Sequence, residues 1–227
     1  MKCGSLPAKA DPEEQCAFYC DILKPLMDQA KEGTLTLLFM DASHFVMGCD
    51  FLGYIYGTTR RFIKTYSGRK RYNVLGALNY VSKKVLTVAN ESYITASEVC
   101  ELMKKVAIEY FGKPIFIILD NAKYQKCTIV TELAKQLSVH LVFIPPYSPN
   151  LNFIERLWKH VKNKLRTKYY DVFEDFQNKI DSIITDTDKN DITVVNRLIG
   201  EKVQLFNKLR IDCYETVHEL KVEKKAA

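Results

Sequence analysis

Three segments of the chain each lead to a carboxylate, and the three acids have the composition of a divalent-metal site. Apolar runs precede Asp41 and Asp120, and a proline-rich stretch, residues 145–149, precedes Glu155. Carboxylate oxygens are preferred ligands of Mg²⁺, and paired metal ions activate the nucleophile in many phosphodiester-cleaving proteins. If the three acids converge in the fold, the sequence predicts a metal-dependent site for phosphoryl chemistry.

Each acid taken alone also has an ordinary structural explanation. An Asp that follows a buried strand is often a turn residue or a helix cap, and a Glu on a helix is usually solvated. Their order along the chain favours a site, because functional groups gather at the carboxyl ends of parallel strands, where Asp41 and Asp120 are predicted. The prolines before Glu155 restrict the backbone and would aim its helix at a fixed angle.

Hydrophobic periodicity predicts the elements that must position these acids. The first is a helix over about 12–30, which Pro25 kinks or splits. A capping box at 95–98 marks the start of another helix. The predicted strands cover about 35–41 (its continuation to 47 is left open), 72–80, 84–89, 115–120 and 140–144, and the further helices cover about 95–111, 126–137, 151–168, 171–185 and 191–207. This order predicts an α/β fold whose mixed sheet has antiparallel strands early and parallel crossovers later.

Composition narrows the class of protein. The 227 residues carry a formal net charge of +6, a modest preference for anionic partners. The seven cysteines are scattered without zinc-like spacing, which predicts a reducing compartment and neither a disulfide framework nor a structural zinc. The chain has no apolar signal segment and no run of ~18 apolar residues, so we expect a soluble cytoplasmic protein without a membrane span.

The predicted helix of Glu155 has an apolar stripe and a basic row. Four apolar residues recur at helical spacing and predict a buried face: Ile154, Leu157, Val161 and Leu165. Lys159, Lys162 and Arg166 follow Glu155 at positions that share roughly one side of the helix. A row of cations leading away from an acidic site suits a DNA backbone. A solvated basic face is the alternative interpretation.

Three segments resemble the signature blocks of DDE transposases, and more narrowly the bacterial insertion-sequence branch of the mariner-like superfamily. They read FMDASHF over 39–45, ILDNA over 118–122 and PPYSPNLNFIERLW over 145–158. The 34 residues between Asp120 and Glu155, positions 121–154, match the spacing expected of that branch. The resemblance covers about residues 35–168. One departure is Phe153, where the usual block has proline.

This resemblance implies an RNase H-like fold, a mixed five-stranded sheet flanked by helices with extra N- and C-terminal helices. The implied divisions are an N-terminal extension (1–34), a catalytic domain (35–168) and C-terminal helices with a tail (169–227). It also implies a site for two Mg²⁺ ions, with Mn²⁺ as a substitute, in which Asp41 bridges both ions while Asp120 and Glu155 each hold one. The implied reactions are cleavage of transposon ends and strand transfer into target DNA.

The implied partners are double-stranded DNA, as terminal inverted repeats and as target, and a second copy of the chain on that DNA. The resemblance implies a nucleoid-associated location. Family members carry helix-turn-helix modules ahead of the catalytic domain, whereas about 30 residues precede the first predicted strand here. The chain thus resembles the catalytic half alone, and we expect a DNA-binding half that is separately encoded, lost by truncation or removed.

Further residues are hypotheses for DNA contact, each with a structural alternative. His44 and Asn121 flank the acids, and Tyr147 and Ser148 lie in the proline-rich turn. The basic segment, as we call residues 59–71, falls where mariner-type enzymes insert a loop that contacts DNA and the partner subunit; a solvated hairpin is the alternative. Its predicted DNA contacts are Arg60, Arg61, Lys64, Arg69, Lys70 and Arg71. Trp158 is predicted to pack and not to stack on a base.

Two other functions compete with a transposase catalytic domain. One is a stand-alone RNase H-like nuclease, against which the long proline-rich block argues. The other is a truncated DNA-binding or regulatory derivative of a transposase, which would keep the fold without the reaction. The presence of all three acids argues against decay of the site.

Overall fold

The computed structural model describes residues 9–48, 66–166 and 168–189, together with the single residues Phe62, Lys64 and Leu205. The predicted helix over 191–207 lies outside the described residues, apart from Leu205, and so do Arg60 and Arg61. Within the described ranges, no helix is long and apolar enough to cross a membrane.

The first helical region is split just before Pro25, as the sequence predicts. It consists of α1 (Pro12–Phe18), a π-helical turn (Tyr19–Leu23) and α2 (Lys24–Glu32). In the wide turn the Lys24 N–H donates to the carbonyl of Tyr19, five residues back. Pro25 follows directly, and because its ring has no N–H and crowds the preceding turn, the regular helical pattern is interrupted here.

The sheet has five strands and mixed direction, which confirms the prediction. The strands are β1 (Thr36–Met47), β2 (Lys70–Asn79), β3 (Val85–Asn90), β4 (Ile115–Leu119) and β5 (Val139–Phe143), in the spatial order β3-β2-β1-β4-β5. β1, β2 and β3 pair antiparallel, whereas β1, β4 and β5 pair parallel. The central strand, β1, therefore joins the antiparallel half of the sheet to the parallel half.

Helices cover both faces of the sheet. The remaining helices are α3 (Ala96–Glu109), α4 (Thr128–Gln136), α5 (Ile154–Leu165) and α6 (Phe173–Lys189). Apolar residues of α3 and α4 form one core with one face of the sheet, while those of α2, α5 and α6 form a second core with the other. The capping box of Thr95 and Glu98 opens α3 as predicted.

α5 is shorter than the sequence predicts, and it is anchored by Phe153. A 3₁₀ turn (Pro149–Leu151) precedes it, and the backbone leaves the helix at Arg166 with ψ of 141°. Phe153 is fully buried, with its ring 4.7 Å from that of Phe39 on β1 and 5.9 Å from that of Tyr80. The residue that departs from the resembled block thus packs the start of α5 onto the central strand.

Candidate active site

The pairing of β1 with β4 places Asp41 beside Asp120. The strands run parallel, and their last paired residues are Phe39 and Ile118. Two residues further along each chain stand the two acids, at matching positions on neighbouring strands that lie about 4.8 Å apart. Because side chains alternate between the faces of a sheet, both acids share the face on which Phe39 and Ile118 pack against α5.

Asp41 lies inside β1 and not at its end, so the predicted strand end is wrong, while the continuation to Met47 is confirmed. On one side the partner strand β4 stops at Leu119. On the other side β2 continues, and it pairs Asp41 with Gly76. Hydrogen bonds to β2 therefore continue β1 beyond Asp41. On the β4 side of Asp41 no strand of the described residues is paired, because β4 has ended.

Glu155 is the second residue of α5 and reaches the same region through a tightly held turn. Tyr147 adopts a left-handed backbone conformation, with φ of 57°, which reverses the chain after two prolines. Asn152 then donates from its side-chain Nδ2 to the buried carbonyl of Met40 at 3.0 Å. Because Met40 directly precedes Asp41, this hydrogen bond brings the approach to Glu155 against the backbone beside Asp41.

The three acids line one cleft of about 360 Å³. Its remaining wall comes from the segment after β4, from Ile144 and the proline-rich turn that follows it, and from Asn152. Asp41 is largely buried, whereas Glu155 has an exposed side chain at the rim. The structure thus brings Asp41, Asp120 and Glu155 to a single concave surface, as the sequence predicts.

The acids in the cleft repel one another when they are ionised. Burial, and then the negative charge of Glu155, raise the pKa of Asp41 to about 8, with a smaller contribution from Asp120. Loss of surrounding water also raises the pKa of Glu155, and the Asp120 charge adds to it, although the nearby ammonium of Lys162 acts in the opposite direction. A buried carboxyl that resists ionisation without a cation nearby is suited to gain one.

The donor atoms fit a divalent cation, since all three side chains offer anionic oxygens. Within the described part of the chain, no three His, Cys, Asp or Glu side chains stand close enough together to hold one ion. Completing a three-ligand shell therefore requires a side chain to turn. Glu155 meets that requirement because its side chain is exposed at the rim, where rotamer changes are fast.

Trp158 packs beside Asp41, one turn after Glu155. It is 2% exposed, as its predicted packing role requires. Its indole N–H faces the Asp41 carboxylate and acts to lower the pKa of Asp41, but its geometry falls short of a full hydrogen bond. The ring fits here because Gly76, opposite Asp41 on β2, has no side chain. A Cβ on Gly76 would lie 2.8 Å from Cη2 of Trp158 and 3.0 Å from Cδ1 of Ile154.

Replacing Gly76 with Ala is expected to lower the free energy of unfolding by about 1–3 kcal/mol, because the new methyl group overpacks the contact between β2 and α5. Chemical denaturation would measure the loss. Adding Trp158→Phe to Gly76→Ala should recover part of it, since the smaller ring leaves room for the methyl group. A Gly76→Ala protein as stable as the wild type would contradict this packing.

His44 lies on the opposite face of β1 from Asp41, three residues away, and it does not line the cleft. Its Nδ1 is 2.6 Å from Oδ1 of the buried Asn73. The Nδ2 of Asn73 donates to Oδ1 of Asn90 and to the carbonyl of Ser92, so its oxygen faces the ring and His44 carries its proton on Nδ1. The geometry fits the structural alternative for His44; DNA contact there stays a prediction.

The predicted contacts in the cleft wall have different surroundings. Asn121 donates from Nδ2 to the carbonyl of Ile144 at 2.6 Å and so joins the ends of β4 and β5. Tyr147 is 52% exposed and lines the cleft. Ser148 is buried, and its hydroxyl donates to the carbonyl of Pro146. All three residues line the cleft, and Tyr147 is the most exposed of them.

The described cations of the basic segment lie beside the start of α6. Nζ of Lys64 is 3.8 Å from a carboxylate oxygen of Asp171 and 4.3 Å from the ring centroid of Tyr169. Nζ of Lys70 lies 5.4 Å from the ring centroid of Phe173. Two further predicted cations are exposed: Arg69 and Arg71. None of the described cations of this segment lines the cleft, and its DNA contacts stay predictions.

On α5 the basic row begins near the acids. Lys162 is half-buried, with Nζ 5.7 Å from the ring centroid of Phe45, and its charge acts on Glu155. Lys159 is exposed on the helix, and Arg166 is exposed directly after its end. The buried stripe predicted for this helix is confirmed at all four positions: Ile154, Leu157, Val161 and Leu165.

Sequence reasoning missed Tyr124 and Asn152 as residues of this region. Burial, and then the charges of Asp120 and Asp41, raise the pKa of Tyr124 to about 12. Tyr124 lies in a 3₁₀ turn (Lys123–Gln125) whose proximity to the acids has no sequence signal. Asn152 stands in the proline-rich block, but a sequence does not indicate which carbonyl an amide will reach.

Comparison with known protein families gives one match. The family described as DDE superfamily endonuclease matches residues 36–177. No curated protein matches the chain.

Solved structures share the fold at low sequence identity. The Mos1 strand transfer complex has a TM-score of 0.63 at 13% identity, covering 88% of this chain and 61% of that one. The catalytic domain of Mos1 mariner transposase has a TM-score of 0.59 at 13% identity, covering 86% of this chain and 91% of that one.

A viral assembly shares less of the fold. A simian T-cell lymphotropic virus intasome, in complex with a PP2A regulatory subunit, has a TM-score of 0.50 at 18% identity, covering 70% of this chain and 51% of that one. The chain thus spans about three fifths of the protein in the Mos1 complex and half of the intasome chain. These likenesses establish an RNase H-like fold.

Proposed function

Because the chain belongs to the DDE superfamily endonuclease family, we propose that it is the catalytic domain of a DNA transposase from the bacterial insertion-sequence branch of the mariner-like superfamily. The observation that carries the proposal is the convergence of Asp41, Asp120 and Glu155 on one cleft. The three-block resemblance, with 34 residues between the last two acids, supports the branch.

The proposed reaction is two successive phosphoryl transfers at this cleft. Bound Mg²⁺ or Mn²⁺ ions supply activation of the attacking oxygen and stabilisation of the leaving oxygen. Asp41, Asp120 and Glu155 would hold these ions through their carboxylate oxygens. Water first bonds to a phosphorus at the transposon end, and the P–O3′ bond breaks to leave a 3′-hydroxyl and a 5′-phosphate. That 3′-hydroxyl then bonds to a phosphorus of target DNA and displaces its 3′-oxygen.

Double-stranded DNA is the proposed partner, both as terminal inverted repeats and as target. The cations that follow Glu155 on α5, with Lys162 nearest the acid, would hold phosphates beside the cleft. We further propose assembly as a homodimer on DNA, a helix-turn-helix half supplied separately, and a location at the nucleoid. The likeness to a Mos1 strand transfer complex and to the catalytic domain of Mos1 mariner transposase supports the DNA partner.

A strand-cleavage assay tests this function. Labelled duplex carrying the inverted repeats that flank the gene, and supercoiled plasmid, would be incubated with the chain and Mg²⁺ or Mn²⁺, with EDTA as the metal-free condition. We expect nicking that needs the metal and falls roughly 10³-fold in Asp120→Ala, because a group that stabilises charge in the transition state is lost.

The matched control is Asp28→Ala. Asp28 is an exposed acid paired with Lys24 on α2, and surface pairs of this kind contribute little to stability. This variant should cleave like the wild type. If the chain, supplied with its DNA-binding half, shows no metal-dependent cleavage, or if Asp120→Ala and Asp28→Ala cleave equally, the proposed function is wrong.

A further inference from the structure

Asn152 links the strand of Asp41 to the helix of Glu155 through two hydrogen bonds. Its side-chain Nδ2 donates to the carbonyl of Met40 at 3.0 Å, and both groups are buried. Its own backbone carbonyl accepts from the N–H of Glu155 at 3.2 Å. Asn152 by itself therefore connects the backbone next to Asp41 with the backbone of Glu155, although the two acids are far apart in sequence.

The carbonyl of Met40 needs this donor because β4 ends too early to supply one. Along β1 the backbone groups alternate in direction. The Leu37 carbonyl accepts from the N–H of Tyr80, directly after β2, and the Thr36 N–H donates to the Pro114 carbonyl on the β4 side. By this alternation the Met40 carbonyl points to the β4 side. The pairing there ends one residue earlier, at Phe39. The side chain of Asn152 thus supplies the hydrogen bond that a longer β4 would donate to β1 from its backbone.

The orientation of the amide follows from its surroundings. Asn152 is 3% exposed, so reversing the amide would place its oxygen against the Met40 carbonyl in a buried position, where two acceptors repel. Its Oδ1 is buried and has no hydrogen-bond partner among the described residues, although Asn152 is one of the residues that line the cleft of the acids. Asn152 thus leaves its buried Oδ1 without such a partner while its Nδ2 bonds to β1. An unpaired buried acceptor lowers stability, and packing alone does not explain why a residue with that cost stands here.

We propose that Asn152 is a positioning residue for the metal site: it fixes the start of α5 on β1, so that Glu155 can complete the ligand shell of Asp41 and Asp120 by turning its side chain alone. This inference rests on the proposed function. Without the tether, the start of α5 would be held on β1 by apolar packing such as that of Phe153 on Phe39, and apolar contacts permit small shifts along the sheet. Geometry at a metal site is sensitive to such shifts.

The test measures Mn²⁺ binding by titration calorimetry, with no DNA present. Asn152→Leu keeps the branched shape and the number of heavy atoms of the side chain, although it is larger, and it removes the donor. Asn152→Ala removes the donor without adding volume and serves as a second variant if Leu prevents folding. We expect Mn²⁺ affinity to fall roughly 10- to 100-fold, the range found when partners of metal ligands are removed. Mn²⁺ affinity equal to that of the wild type in either folded variant would overturn the proposal.

A matched variant separates positioning from general destabilisation. Val130→Ala makes a cavity in the core between α4 and the opposite face of the sheet, away from the cleft. Its melting temperature should fall at least as far as that of Asn152→Leu while Mn²⁺ affinity stays within about twofold of wild type. If Val130→Ala loses as much Mn²⁺ affinity as Asn152→Leu does, Asn152 acts only through stability and the proposal fails.

A double-mutant cycle with Glu155→Gln identifies the route of the effect. If Asn152 acts by placing Glu155, adding Asn152→Leu to Glu155→Gln should weaken Mn²⁺ binding by less than about twofold, because the ligand it places is already gone. Losses that multiply would overturn the proposal. Failure of the proposed function is distinguishable, since it would appear in the wild type itself as Mn²⁺ binding that is absent or unaffected by Asp41→Asn.

Discussion

Replacing Asp41 with Asn is expected to abolish metal-dependent cleavage and, at the same time, to stabilise the metal-free protein at pH 8. Burial and the neighbouring Glu155 raise the pKa of Asp41 to about 8. Holding this carboxyl in the fold therefore costs a few kcal/mol at pH 8, at about 1.4 kcal/mol per unit of pKa shift. Asn is isosteric and uncharged, so it removes this cost together with the metal ligand.

Two measurements on the same protein check this expectation. Cleavage should fall roughly 10³-fold or more, because a ligand of the proposed metal ions is lost. The midpoint of urea unfolding in EDTA at pH 8 should rise. A loss of cleavage together with a gain in stability would identify Asp41 as a residue whose charge serves function and destabilises the metal-free fold.

Asp28→Asn is the matched control, since it makes the same chemical change at an exposed carboxylate on α2. It should change neither cleavage nor the unfolding midpoint by much. A destabilised Asp41→Asn protein would mean that the Asp41 carboxylate makes a favourable interaction in the metal-free fold, and the electrostatic account of the cleft would then be wrong.

Local signals made the elements of this fold predictable. The apolar runs before Asp41 and Asp120, the capping box of Thr95 and Glu98, and the interruption at Pro25 each depend on neighbours within a few residues. Such signals predicted the strands and helices and the mixed direction of the sheet. They left one boundary open: β1 continues to Met47 because β2 supplies hydrogen bonds past the point where β4 stops.

The sequence predicted the three acids of the candidate site, but not the contacts that hold them in place. That Asp41 stands beside Asp120 depends on the register of β1 against β4, which is set by packing of two sheet faces and not by either strand. The contact between Trp158 and Gly76 joins residues of α5 and β2. The hydrogen bond from Asn152 to Met40 crosses 112 positions of sequence. Non-local contacts of this kind leave no periodic pattern in a sequence.

Phe153 stands where the resembled block has proline, and contacts with residues distant in sequence compensate for that difference. Proline at this position would fix the backbone before α5 by its own ring. Phe153 has no such restriction, but its side chain is buried between Phe39 and Tyr80. The start of the helix is thereby held by packing on the sheet, and the hydrogen bond of Asn152 adds direction to that packing.

The stability of the metal-free protein is expected to fall as pH rises from about 4 to about 8. In this range the native state keeps a proton on Asp41, whose pKa is about 8, while the unfolded chain has released it. The native state therefore binds more protons, and the free energy of unfolding decreases by up to about 1.4 kcal/mol per pH unit. Glu155 and Asp181, whose pKa values are raised first of all by partial loss of surrounding water, act in the same direction.

Thermal melts in EDTA between pH 5 and pH 9 would measure this fall, with Asp41→Asn as the control whose profile should be flatter. Mg²⁺ binds the deprotonated carboxylates, so it should raise the Tm of the wild type more at pH 8 than at pH 5. It should leave the Tm of Asp41→Asn nearly unchanged. A wild-type Tm in EDTA that rises steadily from pH 5 to pH 8 would contradict this account, because burial and the neighbouring negative charge both make the native state the one that retains the proton on Asp41.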